Sequence, residues 1–209
     1  MPPMKVLLYG GTFDPPHGGH LNLLQGAVRA VQPDRVIVMP AGIPPHKAAS
    51  ATPAPLRLAM CECFRLACPN AQISDWEISR GGKSYTVDTA AMLAARYPGA
   101  QLYLCMGGDM VETFRQWRCW QRLLQLCTLV VHCREPEDPA FAAAAESLRR
   151  DGGRVIVLKA PVLRESSSSL RARMGRGEPP EALLPPAAAR VARRYRLYCR
   201  AQRPAWKGE

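Results

Sequence analysis

Two patterns of apolar positions alternate along the chain. Short, nearly continuous apolar runs occur at "KVLLY" (5–9), "RVIVMP" (35–40), "QLYLCM" (101–106), "TLVVHC" (128–133) and "RVIVLK" (154–159). Such runs are expected of strands buried on both faces. A further strand, with imperfect alternation, is predicted within "AQISDWEIS" (71–79). Between the runs the spacing becomes helical. Leu21, Leu24, Ala27, Val28 and Val31 define a helix over 19–32. Helices are predicted at 56–68, ending before Pro69, and at 86–97, stopped by Pro98-Gly99. Others are expected over about 110–126 and in "EDPAFAAAAESLRR" (137–150), and the last fifty residues read as helical without further strands. Strands separated by helical segments imply βαβ units. The predicted fold is therefore α/β: a Rossmann-like, doubly wound, mainly parallel sheet with helices on both faces and a helical C-terminal segment.

No repeat or interdomain linker interrupts this alternation. The Pro/Ala-rich stretches at 44–55 and 179–189 are short enough to be loops of one domain. A single domain spanning 1–209 is expected, its helical C-terminal portion covering about 166–209. No apolar run approaches the roughly 18 to 20 residues of a membrane span, and the start lacks a signal-peptide pattern. A cytoplasmic protein with no membrane partner is expected.

Composition alters this picture little, and charge somewhat more. Hydrophobic residues make up 47% and charged residues 22%, ordinary for a globular protein. The eight cysteines lie mostly in apolar segments with no pair of CxxC motifs, so they read as small hydrophobes rather than metal ligands. The formal net charge of +11 suits polyanionic partners, nucleotides among them. Much of the excess is C-terminal, in "ARVARRYRLYCRAQRPAWK", and reads as an arginine-rich solvated helix surface. Because no basic stripe is interleaved with aromatics, a nucleic-acid partner is not expected.

The chemistry concentrates in "VLLYGGTFDPPHGGHLNLLQGA" (6–27). This junction follows the first strand, and ligands of open parallel sheets bind outside the carboxyl ends of the strands. Gly10 and Gly11 are expected to supply positive φ and close main-chain approach, while Pro15 and Pro16 postpone the helix. A helix starting near Gly18–Gly19 turns its free N–H groups and positive dipole end toward the loop, a ready anion site. On helical geometry His17 and His20 share one face and can donate to one polyphosphate. The loop lacks the Gly-Lys-Ser/Thr ending of a Walker A motif and the G-x-G-x-x-G spacing of a dinucleotide site.

"GGTFDPPHGGH" resembles the "GGTFDPxHxGH" signature of the HxGH nucleotidyltransferase superfamily, shared in part with class I aminoacyl-tRNA synthetases. The resemblance continues through "MPAGIPPHK", "SYTVDT", "MGGDMVETFRQW", "VVHCREP" and "SSSSLRARMGRGE", in the order of the bacterial nicotinate-mononucleotide adenylyltransferase family, and covers residues 5–198. It implies that ATP and nicotinate mononucleotide, the small-molecule substrates, give deamido-NAD and pyrophosphate, with Mg²⁺ arriving on ATP. A homo-oligomer stays open. Another adenylyl- or cytidylyltransferase, such as phosphopantetheine adenylyltransferase, is the nearest rival, and a nucleotide- or nucleic-acid-binding regulator is a rival of another class.

The resemblance also implies site residues. Gly10, Gly11, Thr12, Phe13, His17 and His20 would frame ATP, with His20 favoured for transition-state charge. Asp109, after Gly107-Gly108, would take the adenosine side, although as an isolated acid it reads equally as a helix cap. Ser166, Ser168 and Arg171, within "ESSSSLR", would face the β- and γ-phosphates. Glu165 departs from the family pattern there, replacing isoleucine. His46 and Lys47 of "PPHK" would lie over the phosphates, with Lys47 and Arg171 neutralising pyrophosphate. Ser84 and Thr86 read as helix caps, and the resemblance adds that main chain around Tyr85 and Thr86 binds the nicotinate carboxylate. Trp117 would stack on the pyridine ring, with a core role as its rival, and Trp120 is assigned to the core. Arg134 is a candidate for the mononucleotide phosphate or else a surface ion pair.

Overall fold

The computed structural model describes residues 2–43, 50–133, 138–158, 163 and 165–199. Among these, β1 (Lys5–Gly11), β2 (Arg35–Pro40), β3 (Gln72–Ile73), β4 (Gln101–Gly107), β5 (Cys127–His132) and β6 (Arg154–Val157) form one sheet. Its order is β3-β2-β1-β4-β5-β6, and every neighbouring pair is parallel. The chain builds outward from β1 in one direction, then returns to build outward from β4 in the other. This is the doubly wound α/β arrangement predicted from the apolar runs.

The helices are α1 (Gly18–Val31), α2 (Ala54–Met60), α3 (Trp76–Arg80), α4 (Thr86–Arg96), α5 (Asp109–Glu112), α6 (Trp120–Leu126), α7 (Pro139–Arg150), α8 (Ser167–Gly175), α9 (Pro180–Leu183) and α10 (Pro186–Arg194). Successive strand residues enter different cores. Val6, Leu8, Leu104 and Leu129 pack on one face with Leu93, Leu123 and Leu148. Leu7, Tyr9, Val38 and Val130 pack on the other with Leu24, Ala27 and Phe64. Burial on both faces is why the strands read as continuous apolar runs. A third cluster, around Met60, Leu170, Met174, Leu184 and Ala188, fastens the C-terminal helices to α2. No helix among the described residues is long and apolar enough to cross a membrane.

Several predicted boundaries move for identifiable reasons. The strand expected within 71–79 shrinks to Gln72–Ile73, because Glu77 turns inward within α3 and accepts from Thr89 Oγ1 at 2.6 Å. The helix expected at 56–68 starts two residues earlier, with a proline in its first turn, and tightens into a 3₁₀ segment, Cys61–Leu66. The helix expected over 110–126 is broken into α5, a 3₁₀ turn at Phe114–Gln116, and α6, with Cys119 left-handed at φ 50°. Part of the 179–189 loop is helical, since Pro180 and Pro186 each open a helix.

The composition readings find physical counterparts. Arg190, Arg193 and Arg194 are exposed opposite buried Ala188, Ala189 and Ala192, so α10 turns its charge to solvent. The eight cysteines are free thiols. Cys61, Cys63 and Cys105 lie within the second core, where burial drives the Cys63 thiol up to about 12.

Candidate active site

Pairing between β1 and β4 stops at Tyr9–Cys105. Each strand continues with its other neighbour, β1 to Gly11–Pro40 and β4 to Gly107–His132. The sheet therefore parts where its strand order reverses, and a glycine pair stands at each side of the split: Gly10–Gly11 and Gly107–Gly108. Crevices of this kind are where open α/β sheets take ligands.

Gly10 and Gly11 extend β1 and do not adopt positive φ, contrary to expectation; the left-handed residue is Phe13, at φ 50°. That turn folds the Phe13 ring back over Gly11, where an added Cβ would lie 2.7 Å from it. The ring also meets Tyr9, His20 and Phe64 edge-on, with centroids 4.9–5.3 Å apart. Gly11 is thus a packing requirement. At Gly10 a Cβ would meet only Met39 O, at 3.9 Å, so internal packing does not demand glycine there.

The two imidazoles meet differently from the helical-face expectation. His17 is the N-cap of α1, outside the helix at φ −147° and ψ 177°, while His20 is its third residue. Gly19 N donates to His17 Nδ1 and His17 N donates to His20 Nδ1, both at 3.2 Å. This reciprocal capping box brings the ring centroids to 3.8 Å. With Nδ1 accepting, a neutral ring carries its proton on Nε2 and is a donor there. Burial first, and the His17 imidazole second, push the His20 pKa well below the ordinary 6.5. His20 is therefore neutral at physiological pH.

The loop between β1 and α1 is held by distant side chains that sequence reasoning did not single out. Arg57 of α2 is 2% exposed. Its guanidinium donates to Thr12 O at 2.8 Å and Gly42 O at 3.1 Å, joining the loops that follow β1 and β2. Asp14 accepts from Ser50 Oγ and Tyr198 OH, each at 2.6 Å. Tyr198 holds a left-handed conformation, φ 66°, to make that contact. The signal available in the sequence was one arginine on the apolar side of a helix, between Leu56 and Met60.

The serine run also reaches this loop. Ser166 caps α8, accepting from Ser169 N at 3.2 Å, and lies 3.2 Å from Ser168 Oγ. Ser167, not among the predicted residues, donates to Pro15 O at 2.9 Å, and Arg171 Nη1 donates to Asp14 O at 2.6 Å. Ser166, Ser168 and Arg171 are thereby brought to the histidine junction, with part of Arg171 engaged in holding it. Across the split, Asp109 is the exposed first residue of α5, following the cap position at Gly108.

On the β2 side, Ser84 does not cap α4. Its Oγ accepts from Gly42 N at 3.1 Å, and its N–H donates to Ile43 O at 2.9 Å. The N-cap is Tyr85, which makes no side-chain capping bond, and Thr86 is already helical. The first-turn N–H groups of α4 are consequently left without a capping side chain. Arg118 stacks over the Tyr85 ring at 4.6 Å, drawing the Trp117 segment toward this helix start. Trp117 is half-buried against Phe114, with centroids 5.3 Å apart. Trp120, assigned to the core, packs half-buried against the first core cluster, with Arg115 over its ring at 5.6 Å. The predicted residues His46, Lys47 and Arg134 lie outside the described residues.

The cytidylyltransferase-like family model matches residues 8–173. A probable nicotinate-nucleotide adenylyltransferase of Neisseria meningitidis is 34% identical over 198 residues, covering 93% of this chain and 98% of its own. A protein of the same name from Symbiobacterium thermophilum is 37% identical over 201 residues, covering 95% and 97%. Among solved structures, Plasmodium falciparum nicotinic acid mononucleotide adenylyltransferase complexed with NaAD superposes with a TM-score of 0.76 at 17% identity, over 93% of this chain and 97% of that one.

The lowered His20 pKa couples folding to pH. Below the ordinary value of 6.5 the unfolded chain takes up a proton that the folded chain refuses, so stability is full above 6.5 and declines as pH falls. Denaturation midpoints measured between about pH 7.5 and 5 are expected to fall in the parent and to fall less in His20→Gln. Separately, Arg57→Met is expected to cost about 1–3 kcal/mol for each carbonyl it orphans, read as a lower urea midpoint. An unchanged midpoint would show that neither bond matters to stability.

Proposed function

The chain belongs to the nicotinate-nucleotide adenylyltransferase family, within the cytidylyltransferase-like group, and on that premise we propose how its residues carry adenylyl transfer from ATP to nicotinate mononucleotide. A phosphate oxygen of the mononucleotide attacks the α-phosphorus of ATP in line. The bond from that phosphorus to the bridging oxygen breaks, pyrophosphate leaves with the electron pair, and nicotinate adenine dinucleotide remains. Direct transfer of this kind relies on positioning and charge stabilisation rather than on an activated protein nucleophile.

The observation that carries the reading is the paired imidazole cap at the start of α1. The cap uses Nδ1 of both rings, which leaves Nε2 as the edge through which each neutral ring donates, on the loop that follows β1 where the sheet parts, a combination suited to phosphate oxygens. His17 and His20 serve as the phosphate donors, with His20 nearest in role to the charge developing at the α-phosphorus. Being neutral, His20 donates a hydrogen bond without acting as a cation. Gly10, Gly11, Thr12 and Phe13 shape the wall, Ser166 and Ser168 add hydroxyls, and the free edge of Arg171 meets the departing pyrophosphate together with Lys47. Asp109 accepts from the adenosine ribose. Arg134 is assigned to the mononucleotide phosphate, and His46, with Lys47, to the nucleotide phosphates.

The pyridine end is read from α4. Its uncapped first turn, near Tyr85 and Thr86, presents N–H groups to a carboxylate, and Trp117 stacks on the ring, worth about 0.5–1.5 kcal/mol beyond burial. Among the described residues no cluster of three or more His, Cys, Asp and Glu side chains could hold a metal. Mg²⁺ is assigned to the substrate, entering on ATP and held mainly by phosphate oxygens and water.

Pyrophosphate release with ATP, Mg²⁺ and nicotinate mononucleotide tests the assignment, and its absence would refute it. His20→Ala is expected to keep a native circular-dichroism spectrum while kcat drops about 10²–10³-fold. Nicotinate mononucleotide is expected to exceed nicotinamide mononucleotide in kcat/KM by at least about tenfold. Equal efficiencies would remove the carboxylate role of α4 and leave the phosphate site standing.

A further inference from the structure

One buried acid is used by neither the phosphate junction nor the proposed chemistry. Glu77 of α3 is 8% exposed, and its Oε1 accepts from Thr89 Oγ1, inside α4, at 2.6 Å. The Ser84 hydroxyl and the Gly42 N–H face the same carboxylate. Burial raises its pKa, and hydrogen bonds from Thr89, Ser84 and Gly42, with the charge of Arg80 last, offset part of that rise. Ser84 Oγ in turn accepts from Gly42 N at 3.1 Å, and Ser84 N donates to Ile43 O at 2.9 Å beside a parallel bridge between Ile43 and Lys83. The fit at Gly42 is close: an added Cβ would lie 2.6 Å from Glu77 O and 2.9 Å from Ser84 Oγ. The loop after β2 is thus wedged between α3 and the residues that lead into α4. It is held on another side too, since Arg57 donates to Gly42 O.

We propose that Glu77 is a positioning residue for the pyridine end of the site, holding the start of α4 in register with the loop after β2 and thereby setting the preference for nicotinate over nicotinamide. The inference rests on the reading of that helix start as the carboxylate seat. An acid suits the post because three donors converge on it, and a carboxylate accepts on both oxygens with no N–H of its own to satisfy. It anchors α4 from within at Thr89 and keeps the Ser84 hydroxyl engaged with the Gly42 loop, away from the first turn. The N–H groups near Tyr85 and Thr86 are then left in a fixed direction for a substrate anion. Glu77 acts through α4 and takes no part in the chemical step. Its charge, taken alone, would repel a bound carboxylate, so positioning and repulsion predict opposite outcomes when that charge is removed.

The test measures pyrophosphate release by the full-length parent, Glu77→Gln, Thr89→Val and Thr89→Ser, with ATP and each mononucleotide varied in turn. In Glu77→Gln, which keeps the shape and loses one acceptor, the KM for nicotinate mononucleotide is expected to rise about three- to tenfold. The KM for ATP should stay within about twofold of the parent, while the preference for nicotinate over nicotinamide mononucleotide falls as the first KM rises. Thr89→Val should shift in the same direction, and Thr89→Ser, which keeps the hydroxyl, should behave as the parent. Where Glu77→Gln does not fold, Thr89→Val decides. An undiminished preference for nicotinate in the folded variants overturns the proposal. So does a lowered KM for nicotinate mononucleotide in Glu77→Gln, which would make the acid a source of repulsion, or an equal rise in the KM for ATP, which would make its role general stability. A parent with no preference for nicotinate sinks the carboxylate reading of α4, whereas a preference that survives in every variant sinks only this inference.

Discussion

The reciprocal cap between His17 and His20 is the interaction on which the site depends. Helix starts are commonly closed by the side-chain oxygen of Ser, Thr, Asp or Asn. Here two imidazole nitrogens do that work, and using Nδ1 for the cap leaves the proton of each ring on Nε2. One pair of bonds therefore starts the helix and fixes the tautomer. An aspartate in the same place would cap as well but would put a negative charge where an anion is to bind. A lysine would supply charge but no acceptor. Neutral imidazole is the side chain that accepts at one edge and donates at the other, and burial keeps His20 in that form.

Such a cap works only if the loop before it is held still. Residues 12–17 lie between β1 and α1, where ladder and helix bonds cannot support them. The support comes from far along the chain: Arg57 on Thr12, Arg171 on Asp14 O and Tyr198 on the Asp14 carboxylate, over separations of 45, 157 and 184 positions. The C-terminal helices are thereby explained as part of the site's frame. Their own cluster fastens them to α2, and α2 in turn supplies Arg57. Packing in that third cluster and geometry at the histidines are parts of one construction.

The sheet was legible because strands buried on both faces must be apolar at successive positions, a demand that leaves a clear trace in "KVLLY" or "TLVVHC". The histidine junction was legible because its glycines, prolines and imidazoles form one dense stretch. Features with no local signature were not. Nothing near Tyr198 announces that its hydroxyl will meet Asp14, and Ser167 is indistinguishable from the serines on either side of it. Left-handed Phe13 was hidden by the neighbouring glycines, which looked like the residues needing positive φ. The break at Cys119 was hidden because Val111, Phe114 and Leu123 keep a helix-like apolar rhythm across it. Long-range hydrogen bonds and single left-handed residues are decided by tertiary contacts, to which hydrophobic periodicity is blind.

The helix starts carry a consistent charge logic. Two of the described helices carry an ordinary side-chain oxygen cap: Asp138 on α7 accepts from Ala140 N at 2.9 Å, and Ser166 on α8 accepts from Ser169 N at 3.2 Å, whereas α2, α3, α5, α6, α9 and α10 have none. The starts of α1 and α4 carry no side-chain oxygen cap either. At α1 the cap is an imidazole, and at α4 there is no side-chain cap, because Ser84 is diverted to Gly42 N. Orphan N–H groups at a helix start carry partial positive charge and favour anions over neutral groups. Leaving α1 free of an acidic cap favours a phosphate, and leaving α4 uncapped favours a carboxylate over a carboxamide. On the proposed assignment, discrimination between an acid and its amide would rest on the uncapped start of α4.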